Sequence, residues 1–133
     1  MSFKDKVKGI WGKLQTKKFG ITAGTAVYIG KSCSLKGKKH ITLEEAVTIR
    51  PYAQIWSRGT VRIGQGSEIG EHCRISIANS LNMGQKVLLS PNVHITDCDH
   101  EYRNLKAPVI DQGIVQNGQT VSIGDGSYIA SMQ

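Results

Sequence analysis

The residues best suited to acid–base chemistry surround one histidine, His100. It is flanked by Asp99 and Glu101 and is followed by Tyr102 and Arg103. A neutral imidazole can take the proton of a hydroxyl group in a transition state, which typically contributes about 10²–10⁴-fold to a rate. A carboxylate or a backbone carbonyl at the other ring nitrogen would fix the tautomer, and Asp99 and Glu101 are candidates for that role. His100 is therefore a candidate general base.

Two other kinds of chemistry are open to the same segment. Zinc binds side chains of the types that crowd it, which are His94, Asp97, Cys98, Asp99 and His100. This metal site is the weaker interpretation, because His94 occupies an ordinary position of the repeat described below. Cys98 and His100 could also form a nucleophilic pair, but side chains at that spacing in a loop rarely come within hydrogen-bonding reach. We therefore favour acid–base chemistry without a metal.

A six-residue repeat must position this segment. The unit IGQGSE at residues 63–68 is followed by IGEHCR at 69–74, and IGDGSY returns at 123–128. Aliphatic residues begin the units at Ala23, Ile29, Leu35, Leu43, Ile49, Ile55, Ile63, Ile69, Ile75, Met83, Leu89, Ile95, Ile123 and Ile129. Corresponding positions lie 20 residues apart, so each period consists of three units plus two residues at one corner. Internal repetition of this kind predicts a solenoid.

The repeat predicts an all-β prism with three short faces. A helix cannot satisfy it, because six is not a multiple of 3.6 and glycines recur. Short parallel strands fit, with each coil hydrogen-bonded to the next at about 4.8 Å. Glycine at the second position of the unit fits a tight corner where a Cβ would clash. Trp56 is expected outside a corner.

Composition supports one domain without a membrane span. The chain has 133 residues, 39% hydrophobic residues and 15 glycines. No stretch reaches the roughly 18 apolar residues of a membrane helix, and no signal peptide precedes the repeat, so a cytoplasmic location is the default. Cys33, Cys73 and Cys98 cannot all pair with one another, and we expect them to be reduced.

The net charge of +7 belongs mainly to the first 20 residues, which carry six lysines against one aspartate. The rest of the chain is nearly balanced, which argues against nucleic-acid binding. Within residues 2–19, apolar residues recur at helical spacing, which predicts a basic amphipathic helix. This helix is expected to cap the solenoid, with contact to an anionic membrane surface as the alternative.

One face of the prism departs from the repeat. Its small-residue position is filled in successive coils by Lys39, Gly59, Asn79 and Asp99. This face then leads into a long loop at residues 97–120, which inserts one full period because Met83 plus two periods arrives at Ile123. Loops of this length on a compact fold are more often functional than not. By counting, Asn79 lies one coil beneath Asp99, about 4.8 Å away.

The repeat at residues 23–96 and 121–130 resembles the hexapeptide-repeat acyltransferase superfamily. The resemblance implies a left-handed parallel β-helix, a homotrimer and the use of acetyl-CoA or another acyl-CoA. Handedness comes from the resemblance alone, since general chain rules favour right-handed crossovers. Zinc enzymes of the carbonic anhydrase kind resemble the same fold, but their histidine pair with four intervening residues is not matched here.

The segment DHEYR at residues 99–103 is similar to the region around the catalytic histidine in the sugar O-acetyltransferase branch. That branch includes galactoside, maltose and capsular polysaccharide acetyltransferases. The resemblance implies that His100 is the catalytic base and that Asn79 lies beside the acceptor. We expect Asp99, Tyr102 and Arg103 to contribute to the acceptor site, while the residues that bind coenzyme A stay unassigned.

A non-catalytic function is the main alternative. Members of this superfamily continue for further coils beyond the IGDG segment, and those coils form much of the coenzyme A groove. Here the β-helix domain spans residues 21–133, and Gln133 stands where a small residue is due. Either the chain is a truncated, weakly active form of a longer enzyme, or it is a catalytically impaired scaffold or regulatory subunit with an incomplete last coil.

Overall fold

The computed structural model describes Lys4, residues 20–115 and residues 118–131. The strands in these ranges are β1 (Thr22–Ala23), β2 (Tyr28–Ile29), β3 (Ser34–Lys36), β4 (Ile41–Leu43), β5 (Thr48–Ile49), β6 (Gln54–Ser57), β7 (Thr60–Ile63), β8 (Glu68–Ile69), β9 (Arg74–Ile77), β10 (Ser80–Met83), β11 (Leu88–Leu89), β12 (His94–Thr96), β13 (Thr120–Ile123) and β14 (Tyr128–Ile129). A 3₁₀ turn spans Lys38–His40, and one short helix, α1, spans Val109–Gln112. Except for Lys4, the residues of the predicted N-terminal helix lie outside the described residues.

The strands form three parallel sheets that are stacked coil upon coil. Their orders are β1-β4-β7-β10-β13, β2-β5-β8-β11-β14 and β3-β6-β9-β12. Leu43 pairs with Ile63, and Ile63 pairs with Met83, so successive coils are offset by 20 residues. The predicted parallel β-helix is therefore confirmed, whereas its handedness stays a prediction.

The long loop inserts one full period, as the counting predicted. Met83 pairs with Ile123, an offset of 40 residues rather than 20. The third sheet ends at β12 among the described residues, while the other two sheets continue through β13 and β14. The loop is slightly shorter than predicted, because Thr120 already pairs with Ser80 at the start of β13.

The interior is filled by the aliphatic and small positions of the repeat. Fully buried side chains include Ile63, Ile69 and Ile75 from a single coil. The inward hydroxyl of Ser67 donates to the carbonyl of Gly84 at 2.9 Å, and the Cys73 thiol is 3.0 Å from the carbonyl of Ser90. Small polar groups thus tie one coil to the next from inside.

All three cysteines are free thiols. Burial raises the pKa of the Cys33 and Cys73 thiols above their ordinary value. Since the thiolate is the reactive form, both thiols behave as compact core groups at neutral pH.

The predicted need for glycine at the corners is confirmed in the interior coils. A Cβ built on Gly64 would lie 2.3 Å from the carbonyl oxygen of Gly84 in the next coil. The equivalent Gly124 has only one atom near its added Cβ, the Ser127 hydroxyl at 4.0 Å. The constraint therefore comes from the neighbouring coil.

Burial falls off in the last described coil. Met83 and Leu89 are fully buried, whereas their successors Ile123 and Ile129 are only half-buried. No helix in the described ranges is long and apolar enough to cross a membrane. Gln133 lies outside the described residues.

Candidate active site

Asp97 fixes the point where the loop leaves the prism. Its carboxylate accepts three backbone N–H groups from the preceding coil, from Ala78 at 2.6 Å, Asn79 at 2.8 Å and Ser80 at 3.1 Å. Hydrogen bonds to an ionised acceptor are about twice as strong as neutral ones. The turn between β9 and β10 therefore acts as a socket for the first residue of the loop. From the sequence alone, Asp97 is a candidate zinc ligand and nothing marks it as the anchor of the loop.

Cys98 points back onto β9 rather than toward the histidine. Its N–H donates to the Thr96 hydroxyl at 2.9 Å, and its thiol lies 3.4 Å from the carbonyl of Ser76. No hydrogen bond joins Cys98 to His100 in the described ranges. Across those ranges, no three His, Cys, Asp or Glu side chains are grouped in a way that could hold a metal ion.

His100 lies at the closed base of the loop. It forms an antiparallel bridge with Ile114. On either side of this bridge, Val115 N–H donates to the Asp99 carbonyl at 2.8 Å and Glu101 N–H donates to the Gly113 carbonyl at 2.9 Å. These contacts fix the backbone of the histidine although it lies outside every sheet.

The imidazole of His100 projects from this fixed backbone. The residue is exposed, and its ring makes no hydrogen bond to any residue that the structure describes. The Asp99 carboxylate instead accepts the backbone N–H of His100 at 2.8 Å. Among the described contacts, neither Asp99 nor Glu101 orients the ring, because Asp99 accepts the N–H of His100 itself and Glu101 is held by Arg103. The ring is accessible to a ligand or to another chain.

Glu101 is engaged by Arg103. The Arg103 Nε donates to Glu101 Oε1 at 2.8 Å, and a second guanidinium nitrogen contacts the other carboxylate oxygen. Glu101 Oε1 also accepts the backbone N–H groups of Tyr102 and Arg103, both at 3.0 Å. The hydrogen bonds from the Arg103 side chain lower the pKa of Glu101 to about 2. Glu101 is therefore ionised at neutral pH and is unsuited to deliver a proton.

The outer half of the loop is folded on itself by Gln112, at the end of α1. Its amide nitrogen donates to the carbonyls of Asn104 and Ala107, both at 2.8 Å, and its amide oxygen accepts the Asn104 N–H at 3.0 Å. Apolar side chains nevertheless face solvent here, with Leu105 97% and Ile110 83% exposed. The loop has local order but leaves an apolar surface uncovered.

The predicted acceptor residues are divided between two places. Tyr102 and Arg103 are exposed on the loop, beside His100 in sequence. Asn79 is half-buried at the corner between β9 and β10, where its backbone contacts Asp97. The repeat predicts that Asn79 lies directly beneath Asp99. The two residues are not paired in a sheet, however, because the third sheet ends at the pair formed by Thr96 and Ser76. The structure thus joins Asn79 to the root of the loop rather than to its histidine.

A groove of about 430 Å³ lies between the third sheet and the base of the loop. Cys98 and Ile114 line it from the loop. Strands β3, β6 and β9 and the corners that follow them supply Lys36, Trp56, Ser57, Arg58, Arg74, Ser76, Ile77 and Ala78. Ile114 is the bridge partner of His100, so the groove runs beside the backbone of the candidate base.

Trp56 stands in the middle of this groove. The expectation that it lies outside a corner is wrong, because Trp56 belongs to β6 and pairs with Lys36 and Ser76 on either side. Its indole N–H donates to the Ser34 hydroxyl at 3.1 Å. The charged groups of Lys36 and Arg74 lie 4.4 Å and 4.8 Å from its ring centroid, within the range of cation–π attraction. The 20-residue spacing of Lys36, Trp56 and Ser76 was the sequence signal for this cluster.

Comparison of the chain with protein-family models, curated proteins and solved structures yields no match.

Proposed function

We propose that the protein is an acetyltransferase that moves an acetyl group from acetyl-CoA to a hydroxyl of a sugar or surface-polysaccharide precursor. The observation that carries this proposal is the setting of His100, whose backbone is fixed by the Ile114 bridge while its ring stays exposed. A general base must be held in place yet be able to meet its substrate. The resemblance of residues 99–103 to the sugar O-acetyltransferase branch supports the same assignment.

In the proposed reaction, the neutral imidazole of His100 removes the proton from the acceptor hydroxyl as its oxygen forms a bond with the acetyl carbonyl carbon. Acetyl-CoA supplies the acetyl group as a thioester. When the carbon–sulfur bond breaks, the imidazolium returns its proton to the departing thiolate. Negative charge on the carbonyl oxygen requires a donor, for which a backbone N–H of the loop is the candidate, because Asn79 lies at the root of the loop rather than beside His100.

The acceptor site of this proposal lies on the loop side of His100. Tyr102 is 64% exposed, which leaves its ring available to pack against a sugar. Arg103 keeps a guanidinium edge toward solvent while it holds Glu101 in place. Asp99 contributes by fixing the His100 backbone rather than by contact with the acceptor.

We also propose that the active form is a homotrimer in the cytoplasm. Leu105 and Ile110 on the loop are almost fully exposed, and a neighbouring copy would remove them from water. A neighbouring copy could also supply the orienting contact that no described residue gives to the His100 ring. Light scattering after gel filtration is expected to give three times the chain mass, and a monomer at working concentration would contradict the trimer.

The contact of residues 2–19 with an anionic membrane remains a separate proposal. Flotation with liposomes that contain anionic lipid, at low salt, would recover the protein if this contact exists. Loss of recovery at high salt is expected for lysine-driven binding. Absence from the lipid fraction at low salt would favour the capping role.

The catalytic proposal is tested with two matched substitutions. His100→Asn removes the base, whereas His72→Asn makes the same change at an exposed corner with φ 58, a backbone conformation that asparagine tolerates. Coenzyme A release from acetyl-CoA is measured chromatographically with a panel of sugars. His100→Asn is expected to lower kcat by about 10²–10⁴-fold, and His72→Asn to leave it unchanged. An unchanged rate in His100→Asn would reject the proposal.

A non-catalytic scaffold is the second candidate function. It is favoured by one observation, namely that no described carboxylate or carbonyl hydrogen-bonds to the His100 ring. A scaffold would show no acetyl-CoA turnover with any acceptor in the panel. Turnover that depends on His100 would exclude it.

A further inference from the structure

The groove beside the loop concentrates positive charge without a counter-charge. Lys36, Arg58 and Arg74 line it, and none of its described lining residues is acidic. None of these three side chains forms an ion pair with any residue in the described ranges, whereas Arg50 is paired with Glu68 and Arg62 with Glu44 on other parts of the prism. Unpaired like charges held close together repel one another. The arrangement is therefore suited to a bound anion.

Trp56 organises this charge in advance. Its indole is fixed by the hydrogen bond to Ser34, and it holds Lys36 and Arg74 against its ring from the strands on either side. Side chains that are already ordered lose less conformational entropy when a ligand binds. Because both cations already lie at the ring, the indole serves to position charge rather than to stack on a ligand.

A second observation at the same place concerns Ser76. Its hydroxyl is buried and has no hydrogen-bond partner in the described part of the chain, although the residue lines the groove. A buried polar group without a partner is unfavourable. The hydroxyl can take up a new partner without breaking a hydrogen bond, since it has none to break among the described residues. A ligand oxygen would then satisfy it.

We propose that this groove binds a diphosphate group. The three positive charges of the groove exceed the single negative charge of a carboxylate ligand. The diphosphate of a nucleotide ester carries two negative charges and several acceptor oxygens, so it matches the groove better. Arginine forks match phosphate oxygens in pairs, which adds geometric selectivity to the charge. The ligand class follows from the groove alone, and only the two natural sources considered below rest on the proposed function. Those sources are a sugar nucleotide as acceptor and coenzyme A as donor product.

Pyrophosphate is the minimal probe of this site. Titration calorimetry on the full chain is expected to detect binding that Arg74→Gln and Arg58→Gln each weaken about 10-fold or more, because each change removes a charge-assisted hydrogen bond. Arg50→Gln is the matched control, since it makes the same charge change at an arginine outside the groove that is paired with Glu68. It is expected to change the affinity less than twofold. Equal weakening by Arg50→Gln, or no binding to the unmodified protein, would overturn the proposal.

Two natural probes then identify the source of the diphosphate. UDP-glucose and coenzyme A are titrated separately into the unmodified protein and into Arg74→Gln. A loss confined to UDP-glucose identifies the acceptor as the source, and a loss confined to coenzyme A identifies the donor product. If neither affinity depends on Arg74, both natural sources are rejected, and with them the link between the groove and the proposed reaction.

These measurements are separable from the test of catalysis. Binding needs no turnover, so pyrophosphate is expected to bind His100→Asn with unchanged affinity even though that variant is proposed to be inactive. Pyrophosphate binding that depends on Arg74 in a protein without any turnover would reject the acetyl transfer and retain the groove. Turnover that depends on His100 without any diphosphate binding would reject the groove and retain the acetyl transfer.

Discussion

The carboxylate of Asp97 and the backbone of Asn79 are 18 residues apart in sequence and are joined by a hydrogen bond of 2.8 Å. This contact, with those to Ala78 and Ser80, attaches the root of the loop to the previous coil. The ladder of the third sheet ends just before this point, at Thr96. The side-chain hydrogen bonds of Asp97 thus replace the strand pairing that ends at Thr96. They fix the position from which the His100 segment leaves the prism.

Replacement of Asp97 by asparagine is expected to loosen the root of the loop. An amide oxygen can accept some of the same N–H groups, but without the charge that strengthens them. We expect the free energy of unfolding to fall by about 1–3 kcal/mol and cleavage by protease within residues 98–115 to accelerate. Urea denaturation and limited proteolysis measure the two effects.

Asp111→Asn provides the control for this experiment. It makes the same charge change in the same loop, but none of the hydrogen bonds described for Asp111 uses its side chain. Its stability and its cleavage rate are expected to match those of the unmodified protein. Equal behaviour of Asp97→Asn and Asp111→Asn would contradict the role given to Asp97.

The Glu101–Arg103 pair predicts a local response to pH. Hydrogen bonds from Arg103 lower the pKa of Glu101 from 4.5 to about 2. A carboxylate whose pKa is depressed by folding contributes stability above its unfolded value of 4.5, and this contribution is lost as pH falls through about 2. The Arg103 side chain is 71% exposed and the Glu101 side chain is 25% exposed, so solvent screening keeps the effect on global stability small.

Carbon-detected NMR titration of the Glu101 carboxyl group tests this response. The midpoint is expected near pH 2 in the unmodified protein. In Arg103→Gln it is expected to rise toward the ordinary value of 4.5, because the guanidinium is absent. Tyr102→Phe is the control within the segment and leaves both charges in place. A midpoint near 4.5 in the unmodified protein would show that the pair does not form in solution.

The fold could be predicted from sequence because every coil repeats the same pattern of buried aliphatic residues. The aliphatic position of each unit has one way to be buried, and successive choices such as Ile63 and Ile69 agree in phase. Even the inserted loop was placed in phase, since Met83 pairs with Ile123 across it. A fold can be predicted from its sequence when the local pattern of every segment agrees with the global fold.

The candidate site could be predicted only in part, because the loop has no repeat to supply a phase. His100 is a candidate because of its neighbours in the sequence, but the partners of Asp99 and Glu101 depend on how the backbone bends, which spacing does not determine. The socket for Asp97 consists of backbone N–H groups that carry no sequence signature. The position of Trp56 was predicted wrongly because the 20-residue period alone does not distinguish an outward side chain within β6 from a side chain at a corner.

Glycine substitutions separate corners that are covered by a following coil from those that are not. Gly64→Ala would place a Cβ 2.3 Å from the Gly84 carbonyl oxygen, so that corner must shift. We expect a loss of about 1–3 kcal/mol in the free energy of unfolding, the usual range for overpacking. Gly124→Ala meets only the Ser127 hydroxyl at 4.0 Å and is expected to be neutral. Urea denaturation of both variants decides the matter, and equal destabilisation would show that the effect is not steric.

Core truncations should reveal the same gradient in packing. Ile69 is fully buried in a middle coil, so Ile69→Ala is expected to lower the free energy of unfolding by about 2–5 kcal/mol through lost burial and the cavity left behind. Ile129 belongs to the same sheet but is only half-buried in the last described coil. The area removed from water there is smaller, so Ile129→Ala is expected to have less than half of that effect. Denaturant midpoints at constant slope give both values, and a larger loss at Ile129 would mean that the last coil is packed more tightly in solution than its burial here indicates.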